Sequence, residues 1–146
     1  MDAKSVHILL VDDDDVDVEG LERAFEEAKI INPIRRAQDG IEALDILRGT
    51  NGKAPIAQPY LILLDINMPR MDGFKFLEEI RKDPRLHKTV VFMLTTSQDE
   101  RDKLAAYDKQ VAGYVSKLKA GEDFSNLIRM LDHYWRIVEL PVDNAA

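Results

Sequence analysis

Acidic residues, a threonine and a lysine follow apolar runs of the chain at the places where strands would end. Asp12 and Asp13 follow one such run, Asp65 a second, Thr95 a third and Lys117 a fourth. Carboxylates brought together repel one another when ionised, and a hard divalent ion such as Mg²⁺ relieves the repulsion. A carboxylate beside Mg²⁺ can act as a nucleophile toward phosphorus, while a lysine neutralises the transferring group. The residue types therefore indicate phosphoryl chemistry, provided that the fold brings them together.

Five apolar segments predict β-strands, and amphipathic helices alternate with them. The predicted strands cover residues 6–11, 34–37, 60–64, 89–94 and 112–115, with helices that include 15–29 and 98–109. This alternation favours a parallel sheet covered by helices on both faces, a three-layer αβα sandwich. Sites in open α/β sheets lie at the carboxyl ends of the strands. If strands one and three are neighbours, as in the order 2-1-3-4-5, the acids Asp12, Asp13 and Asp65 converge there.

Residues 61–73 join a doubly buried strand to a turn. Four apolar residues lead directly into Asp65, and Pro69 with Asp72-Gly73 predicts the turn. Asp65 should therefore lie at the mouth of a buried strand and face a loop. The backbone carbonyl of Asn67, two residues further on, is a further candidate metal ligand, whereas Asp72 is interpreted as a turn former.

Composition narrows the class of protein. The chain has 146 residues, no cysteine and a net charge of −7, which excludes disulfides and disfavours nonspecific nucleic-acid binding. No apolar run is long enough to span a bilayer, and residues 1–4 lack the start of a signal peptide, so we expect a cytoplasmic protein. The length fits one domain, predicted over residues 1–140 with a tail at 141–146.

Taken together, these motifs resemble the receiver domain of two-component response regulators. The matching segments are Asp12-Asp13, Leu64-Asp65-Ile66-Asn67-Met68-Pro69-Arg70-Met71-Asp72-Gly73, Thr95 and Gly113-Tyr114-Val115-Ser116-Lys117. The resemblance covers about residues 5–135. It implies a flavodoxin-like five-stranded parallel sheet of order 2-1-3-4-5, in agreement with the pattern of strands and helices.

The resemblance also implies a role for each matching residue. Asp65 would accept a phosphoryl group from a histidine kinase and lose it by self-catalysed hydrolysis. The Mg²⁺ ligands would be Asp12, Asp13, Asp65 and the backbone carbonyl of Asn67. Thr95 and Tyr114 match the switch pair of the family, and Lys117 matches its phosphate-binding lysine, although Tyr114 also fits an ordinary strand aromatic. The output would be a protein–protein contact or a phosphorelay.

The sequence departs from the family at Leu118. Proline usually follows this lysine in the family, often after a cis bond, and a cis bond to leucine costs roughly 3–4 kcal/mol. Either the Lys117–Leu118 bond is trans and the loop differs, or the site is strained. The neighbouring acids Asp14, Asp15 and Asp17 are assigned no chemistry, because a solvated loop that caps a helix accounts for them.

The last predicted helix carries apolar residues on more than one face. Packing on the chain's own sheet should explain Trp135 or Val138, but leaves Tyr134, Ile137 and Leu140. We therefore predict a homodimer through Tyr134, Trp135, Ile137 and Leu140. Receivers with a similar Tyr-Trp tail and a long loop after the second helix look like partners of phytochrome-type histidine kinases.

Two other functions remain as alternatives. The run from Asp12 to Val16 also looks like the first motif of haloacid-dehalogenase-type phosphatases, with Asp12 as nucleophile and Asp14 as acid/base. Such enzymes place their further acidic ligands after the lysine, whereas Asp65 precedes Thr95 here. The other alternative is a receiver-like module that binds partners without being phosphorylated, which Leu118 would favour.

Overall fold

The computed structural model describes residues 5–119 and 124–142. Within this part of the chain, strands and helices alternate throughout. In order they are β1 (His7–Val11), α1 (Asp15–Glu27), β2 (Ile34–Ala37), α2 (Gly40–Arg48), β3 (Tyr60–Leu64), α3 (Gly73–Lys82), β4 (Val91–Thr95), α4 (Glu100–Asp108), β5 (Gly113–Ser116) and α5 (Ser125–Ile137). Of the predicted tail at 141–146, residues 143–146 lie outside the described residues.

The strands form one parallel sheet in the order β2-β1-β3-β4-β5. The predicted three-layer αβα sandwich and its strand order are therefore confirmed. β1 and β3 are neighbours and pair in register from His7 with Tyr60 to Val11 with Leu64. The residues that follow these two strands, Asp12 and Asp65, consequently leave the same edge of the sheet.

The central strands are apolar without interruption because both of their faces are covered. Leu9 and Leu64 face a core shared with α2, α3 and α4, whereas Leu10 and Leu63 face a core shared with α1 and α5. All four side chains are no more than 2% exposed, and burying each contributes about 1.5–3 kcal/mol. Such packing gives the acidic residues at the strand ends a rigid support.

β4 ends one residue later than its apolar run. The sequence predicts this strand over 89–94, but the structure pairs Ile62 with Val91 and extends the strand through Thr95. Thr95 is fully buried. A threonine is tolerated there because it favours extended backbone and its hydroxyl oxygen accepts a hydrogen bond from the backbone N–H of Ser97 at 3.2 Å.

The C-terminal helix uses most of its apolar residues in the chain's own core. Trp135 is 7% exposed and lies 6.2 Å from Phe25 between ring centroids, while Tyr134 meets Phe92 edge-on at 5.1 Å. Leu140 packs on the same core. The expectation that the chain's own packing would leave Tyr134 and Leu140 unexplained is therefore wrong. Ile137, 78% exposed, is the member of the predicted dimer set that faces away from the core.

Among the helices of residues 5–119 and 124–142, none has the length and apolar character required to cross a bilayer.

Candidate functional site

Three carboxylates meet at the carboxyl ends of β1 and β3. One oxygen from each of Asp12, Asp13 and Asp65 lies within 4.8 Å of the others. Asp12 is buried, Asp65 is half-buried and Asp13 is exposed. The structure thus brings together the acids that the sequence predicts as metal ligands, with one of them open to solvent.

The backbone on both sides of Asp65 is fixed. Its N–H donates to the carbonyl of Val11 at 3.0 Å, and its Oδ1 accepts from the N–H of Ile66 at 2.8 Å. The chain then folds back, so that the N–H of Gly73 donates to the carbonyl of Ile66 at 2.8 Å. A Cβ at position 73 would collide with the carbonyl oxygen of Asp65. The predicted turn therefore needs glycine for a close approach of two backbone segments.

Asp72 supports the turn by capping a helix. Its side chain accepts from the N–H of Lys75 at 2.9 Å at the start of α3. This agrees with the interpretation of Asp72 as a turn former. Asn67 lies in the exposed part of the same loop, two residues after Asp65, and its carbonyl stays a predicted ligand.

Lys117 reaches the cluster from the end of β5. Its Nζ lies 3.0 Å from Asp12 Oδ2, 3.3 Å from Asp65 Oδ2 and 2.6 Å from Asp17 Oδ2, and its side chain is 8% exposed. The predicted convergence of Lys117 with Asp12 and Asp65 is present. The contact with Asp17, which is the shortest of the three, was not predicted.

The turn after Lys117 is built without a cis bond at Leu118. Among the described residues the cis peptide bond is Gln58–Pro59, so the Lys117–Leu118 bond is trans. The Lys117 N–H donates to the carbonyl of Thr95 at 2.9 Å, and the Leu118 N–H donates to Ser116 Oγ at 3.1 Å. Of the two alternatives from the sequence, the structure has the trans bond.

Within this cluster, burial and neighbouring charges shift the pKa values of Asp12 and Lys117 in opposite directions. Burial raises the pKa of Asp12, although the Asp14 N–H and the Lys117 ammonium act in the opposite direction. Burial alone would lower the pKa of Lys117, but the hydrogen bonds and charges of Asp17, Asp12 and Asp65 outweigh it and raise that pKa. Lys117 is therefore a permanent cation at neutral pH.

The donor set fits a hard divalent cation. Asp12, Asp17 and Asp65 share the ammonium group of Lys117, and Asp13 adds a carboxylate beside Asp12 and Asp65, so negative charge remains in excess. Carboxylate oxygens with one open side match Mg²⁺, which binds through few carboxylates and keeps several waters. When bound, the ion would supply positive charge to offset that excess and the charge of a phosphoryl group.

Thr95 and Tyr114 meet at the loop between β4 and α4. Ser97 donates its N–H to Thr95 Oγ at 3.2 Å, and its carbonyl accepts from the Tyr114 hydroxyl at 3.3 Å. Tyr114 is half-buried, and burial raises the pKa of its hydroxyl. One loop residue thus connects the two members of the predicted switch pair, while the switch itself stays a prediction.

Asp14 is engaged as a helix cap. Its side chain accepts from the N–H of Val16 at 2.9 Å and of Asp17 at 3.4 Å at the start of α1. This agrees with the assignment of no chemistry to Asp14 and leaves it poorly suited to the acid/base role of the phosphatase alternative.

Two residues of the site were not predicted from the sequence, since Asp17 was assigned no chemistry and Arg36 was not considered. Asp17 lies in the first turn of α1 and stands among other acids, so its residue type alone carried no signal. Arg36 on β2 donates from Nε to the carbonyl of Asp12 at 2.9 Å and pairs through Nη1 with Asp15 at 2.7 Å. It therefore holds the acidic loop in place, although nothing in its short strand marks it.

Comparison with known protein families gives a match over most of the chain. The sequence model of the family described as "Response regulator receiver domain" matches residues 8–129. Among curated proteins, "Response regulator Rcp1" of Synechocystis is 32% identical over 135 residues, which are 92% of this chain and 92% of that protein. "Probable methanogenesis regulatory protein FilR2" of Methanothrix harundinacea is 34% identical over 128 residues, 88% of this chain and 82% of that protein.

Solved structures give the same picture. The phosphorylated cyanobacterial phytochrome response regulator RcpA superposes with a TM-score of 0.80 at 32% identity, covering 94% of this chain and 99% of the other. The response regulator RPA3017 in red light signaling of R. palustris gives 0.82 at 34% identity with the same coverage. The Mn²⁺-bound form of Rcp1 gives 0.79 at 30% identity, again over 94% and 99% of the two chains.

Proposed function

This chain belongs to the response regulator receiver family of phosphoacceptor signalling domains, and we propose that Asp65 is the carboxylate that accepts the phosphoryl group. The observation that carries the proposal is the placement of Asp65 Oδ2 at 3.3 Å from the Lys117 ammonium, beside Asp12 and Asp13. Asp12 is buried and paired with Lys117. Asp65 is half-buried at the carboxyl end of the central strand β3, so of the two carboxylates it is the more accessible nucleophile.

In the proposed step, a carboxylate oxygen of Asp65 forms a bond to phosphorus. The bond from phosphorus to the imidazole nitrogen of a kinase phosphohistidine breaks, and the imidazole keeps the electron pair and later takes up a proton. Lys117 neutralises negative charge on the oxygens of the transferred group. The chain then loses the group by self-catalysed hydrolysis, in which water supplies the oxygen of the released phosphate.

Mg²⁺ is the proposed cofactor, with Asp12, Asp13, Asp65 and the Asn67 carbonyl as its ligands. The excess of carboxylates over cations in the cluster supports it, as does the relative Rcp1, for which a Mn²⁺-bound form is known. Asp13 is exposed, so the ion has a route from solvent.

Phosphorylation is proposed to act through Thr95 and Tyr114. A phosphoryl group on Asp65 offers new acceptor oxygens to the Thr95 hydroxyl and to Lys117. Because the Ser97 backbone contacts both Thr95 Oγ and the Tyr114 hydroxyl, a movement of Thr95 would be transmitted to Tyr114. The result is a population shift at the face formed by α4, β5 and α5, without a new fold.

A sensor histidine kinase is the proposed partner, and one of phytochrome type fits the relatives. RcpA is a phytochrome response regulator and RPA3017 acts in red light signaling. The proposed location of this chain is the cytoplasm, as expected from its sequence. We take residues 1–140 as the receiver unit and 141–146 as a tail, with output through protein contacts or a phosphorelay.

A homodimer through the end of α5 is a further part of the proposal. Ile137 is 78% exposed and Val138 38%, and they follow one another at the end of the helix. Because Tyr134, Trp135 and Leu140 contribute to the chain's own core, they would support this surface from beneath instead of forming it.

The deciding experiment uses acetyl phosphate with Mg²⁺ and intact-mass spectrometry. We expect one acyl phosphate per wild-type chain, none with Asp65→Asn, and none in the wild type after chelation of the metal. Asp72→Asn is the matched control, because it removes a carboxylate from the same loop while asparagine still caps α3.

Two results would contradict the proposal. Turnover of an external phosphate ester by Asp65→Asn, abolished in Asp12→Asn, would support the phosphatase. Mg²⁺ binding without any acyl phosphate, from acetyl phosphate or from a panel of kinases of the same organism, would support the module that binds partners without phosphorylation.

A further inference from the structure

The Lys117 ammonium has an acceptor for each of its protons. An ammonium group carries three donors and no acceptor, and the three contacts are with Asp12, Asp17 and Asp65. Two of these acceptors follow β1 and β3, as the family pattern implies. The third, Asp17, comes from the first turn of α1, and at 2.6 Å it makes the shortest contact.

Asp17 differs from the other two acceptors in that it has no proposed role in binding the metal ion or the phosphoryl group. Asp12 and Asp65 both belong to the group of carboxylates that could hold a cation, whereas Asp17 is absent from that group. Asp65 also loses its negative carboxylate when it becomes an acyl phosphate. Asp17 is therefore the acceptor of Lys117 that neither the proposed metal ion nor the proposed acyl phosphate would engage.

The backbone near Lys117 does not fix where its ammonium group lies. The chain at this point is anchored by the Lys117 N–H at the Thr95 carbonyl, and Leu118, which follows in a trans turn, is 66% exposed. The lysine side chain has a flexible four-carbon stem. The direction of Nζ must therefore be set by its acceptors, and the shortest contact is to Asp17.

We propose that Asp17 is a positioning residue that holds the Lys117 ammonium beside Asp65 for phosphoryl transfer. The inference rests on the proposed role of Asp65 as phosphoacceptor. Asp17 itself is held in place because it lies in a helix capped by Asp14, whose side chain accepts from the Asp17 N–H at 3.4 Å. It touches neither the phosphoryl group nor the phosphoacceptor, and it acts through Lys117.

The first test is the rate at which acetyl phosphate and Mg²⁺ label the full chain. Asp17→Ala should slow labelling about tenfold, the size expected when one charge-assisted hydrogen bond to a catalytic group is lost. Asp17→Asn keeps a hydrogen-bond acceptor but loses the charge, so its labelling rate should fall between those of the wild type and Asp17→Ala. Glu19→Ala is the matched control, since Glu19 is an exposed carboxylate of the same helix that lies outside the group of Asp12, Asp13 and Asp65, and it should label at the wild-type rate.

The second test separates positioning from a structural role. In a Lys117→Ala background, Asp17→Ala should cause no further slowing, because the group it positions is gone. Nitrogen-15 NMR of the lysine ammonium groups gives a readout independent of labelling. The Lys117 signal should be observable in the wild type and in Glu19→Ala, and should broaden beyond detection in Asp17→Ala.

Each remaining outcome overturns the inference. An unchanged rate in Asp17→Ala means that Lys117 is positioned without it, and a faster rate means that Asp17 competes with the phosphoryl group. Slowing that persists in the Lys117→Ala background means that Asp17 supports the fold instead. If the wild type is not labelled at all, the proposed function fails, and the NMR experiment still decides whether Asp17 orders Lys117.

Discussion

At the scale of single residues, a charge pair links the loop after Asp65 to the start of α2. Arg70 has a left-handed φ of 65° and donates from Nε to Asp39 Oδ2 at 2.8 Å and from Nη2 to Oδ1 at 3.1 Å. Asp39 is 5% exposed and also caps α2, accepting from the Glu42 N–H at 2.9 Å. Burial tends to raise the pKa of Asp39, but the Arg70 and Glu42 hydrogen bonds outweigh it and lower that pKa.

The pair makes stability depend on pH in a defined direction. A carboxyl group whose pKa is lowered by folding stabilises the fold above its unfolded pKa, here 3.8, and loses that contribution as the pH falls through the folded pKa. Arg70→Met should therefore lower the free energy of unfolding at neutral pH. The difference from the wild type should shrink once the pH falls below 3.8. Urea denaturation at several pH values measures both quantities.

Arg101→Met is the control for this prediction, because Arg101 pairs with Asp99 at an exposed site. The Arg101→Met variant should differ little from the wild type in its free energy of unfolding at any pH. A loss in Arg70→Met that is equal at neutral and acidic pH would show that the Arg70 side chain acts by packing instead of by its charge.

The residues at strand ends could be predicted from the sequence, and those that orient them could not. Asp65 and Lys117 each follow an apolar run, so their type and position both carry a signal. Asp17 and Arg36 lie half-buried on a helix and an edge strand, in stretches where charged residues are ordinary. Asp17 and Lys117 are 100 positions apart, and their contact depends on how the fold brings the start of α1 to the residue that follows β5, which the local sequence does not encode.

At the scale of elements, the junction between β3 and α3 depends on a missing side chain. The N–H of Gly73 bonds to the carbonyl of Ile66, and a Cβ at position 73 would strike the Asp65 carbonyl. The obstacle is backbone, which cannot rotate away as a side chain can. The first residue of α3 therefore controls where the peptide of Asp65 lies.

Gly73→Ala should destabilise the chain by about 1–3 kcal/mol and slow the labelling of Asp65. Alanine is otherwise favoured in helices over glycine by roughly 1 kcal/mol. A lower free energy of unfolding in Gly73→Ala would therefore be due to the clash with the Asp65 carbonyl. Urea denaturation and the acetyl phosphate assay measure the two effects.

Gly20→Ala provides the comparison for Gly73→Ala within another helix. Its new Cβ would meet the ring of Phe124 at 3.1 Å, a side chain that can shift. That variant should keep the wild-type labelling rate. A Gly73→Ala chain with wild-type stability and labelling would refute the argument.

The elements themselves were largely predictable because their periodicities are clear. The β3 strand, buried on both faces, is predicted with the bounds that the structure gives. Differences arise at ends, where tertiary contacts decide: β4 runs to Thr95 because it pairs with β5 through Ser116. The burial of Tyr134 and Leu140 in the C-terminal helix region was not predicted. The sequence shows which residues are apolar, but it does not show how much of the helix surface α1 and the sheet cover.

At the scale of the whole molecule, α5 is both core and surface. Trp135 fills the space against Phe25, and removing such a side chain costs about 3–5 kcal/mol. With a variant that replaces Trp135, the experiment could therefore not distinguish loss of folding from loss of association. Ile137 offers the cleaner test, because its side chain is 78% exposed and contributes little to the core.

Ile137→Asp should lower the apparent mass of the protein in light scattering, because a charge at the centre of an apolar contact weakens association, here by roughly tenfold or more. The free energy of unfolding of the monomer should stay within about 0.5 kcal/mol of the wild type, as for exposed sites in general. Ile31→Asp is the matched control, since Ile31 is 93% exposed but lies outside α5. A wild type that remains monomeric at high concentration, both with and without acetyl phosphate, would rule out the dimer.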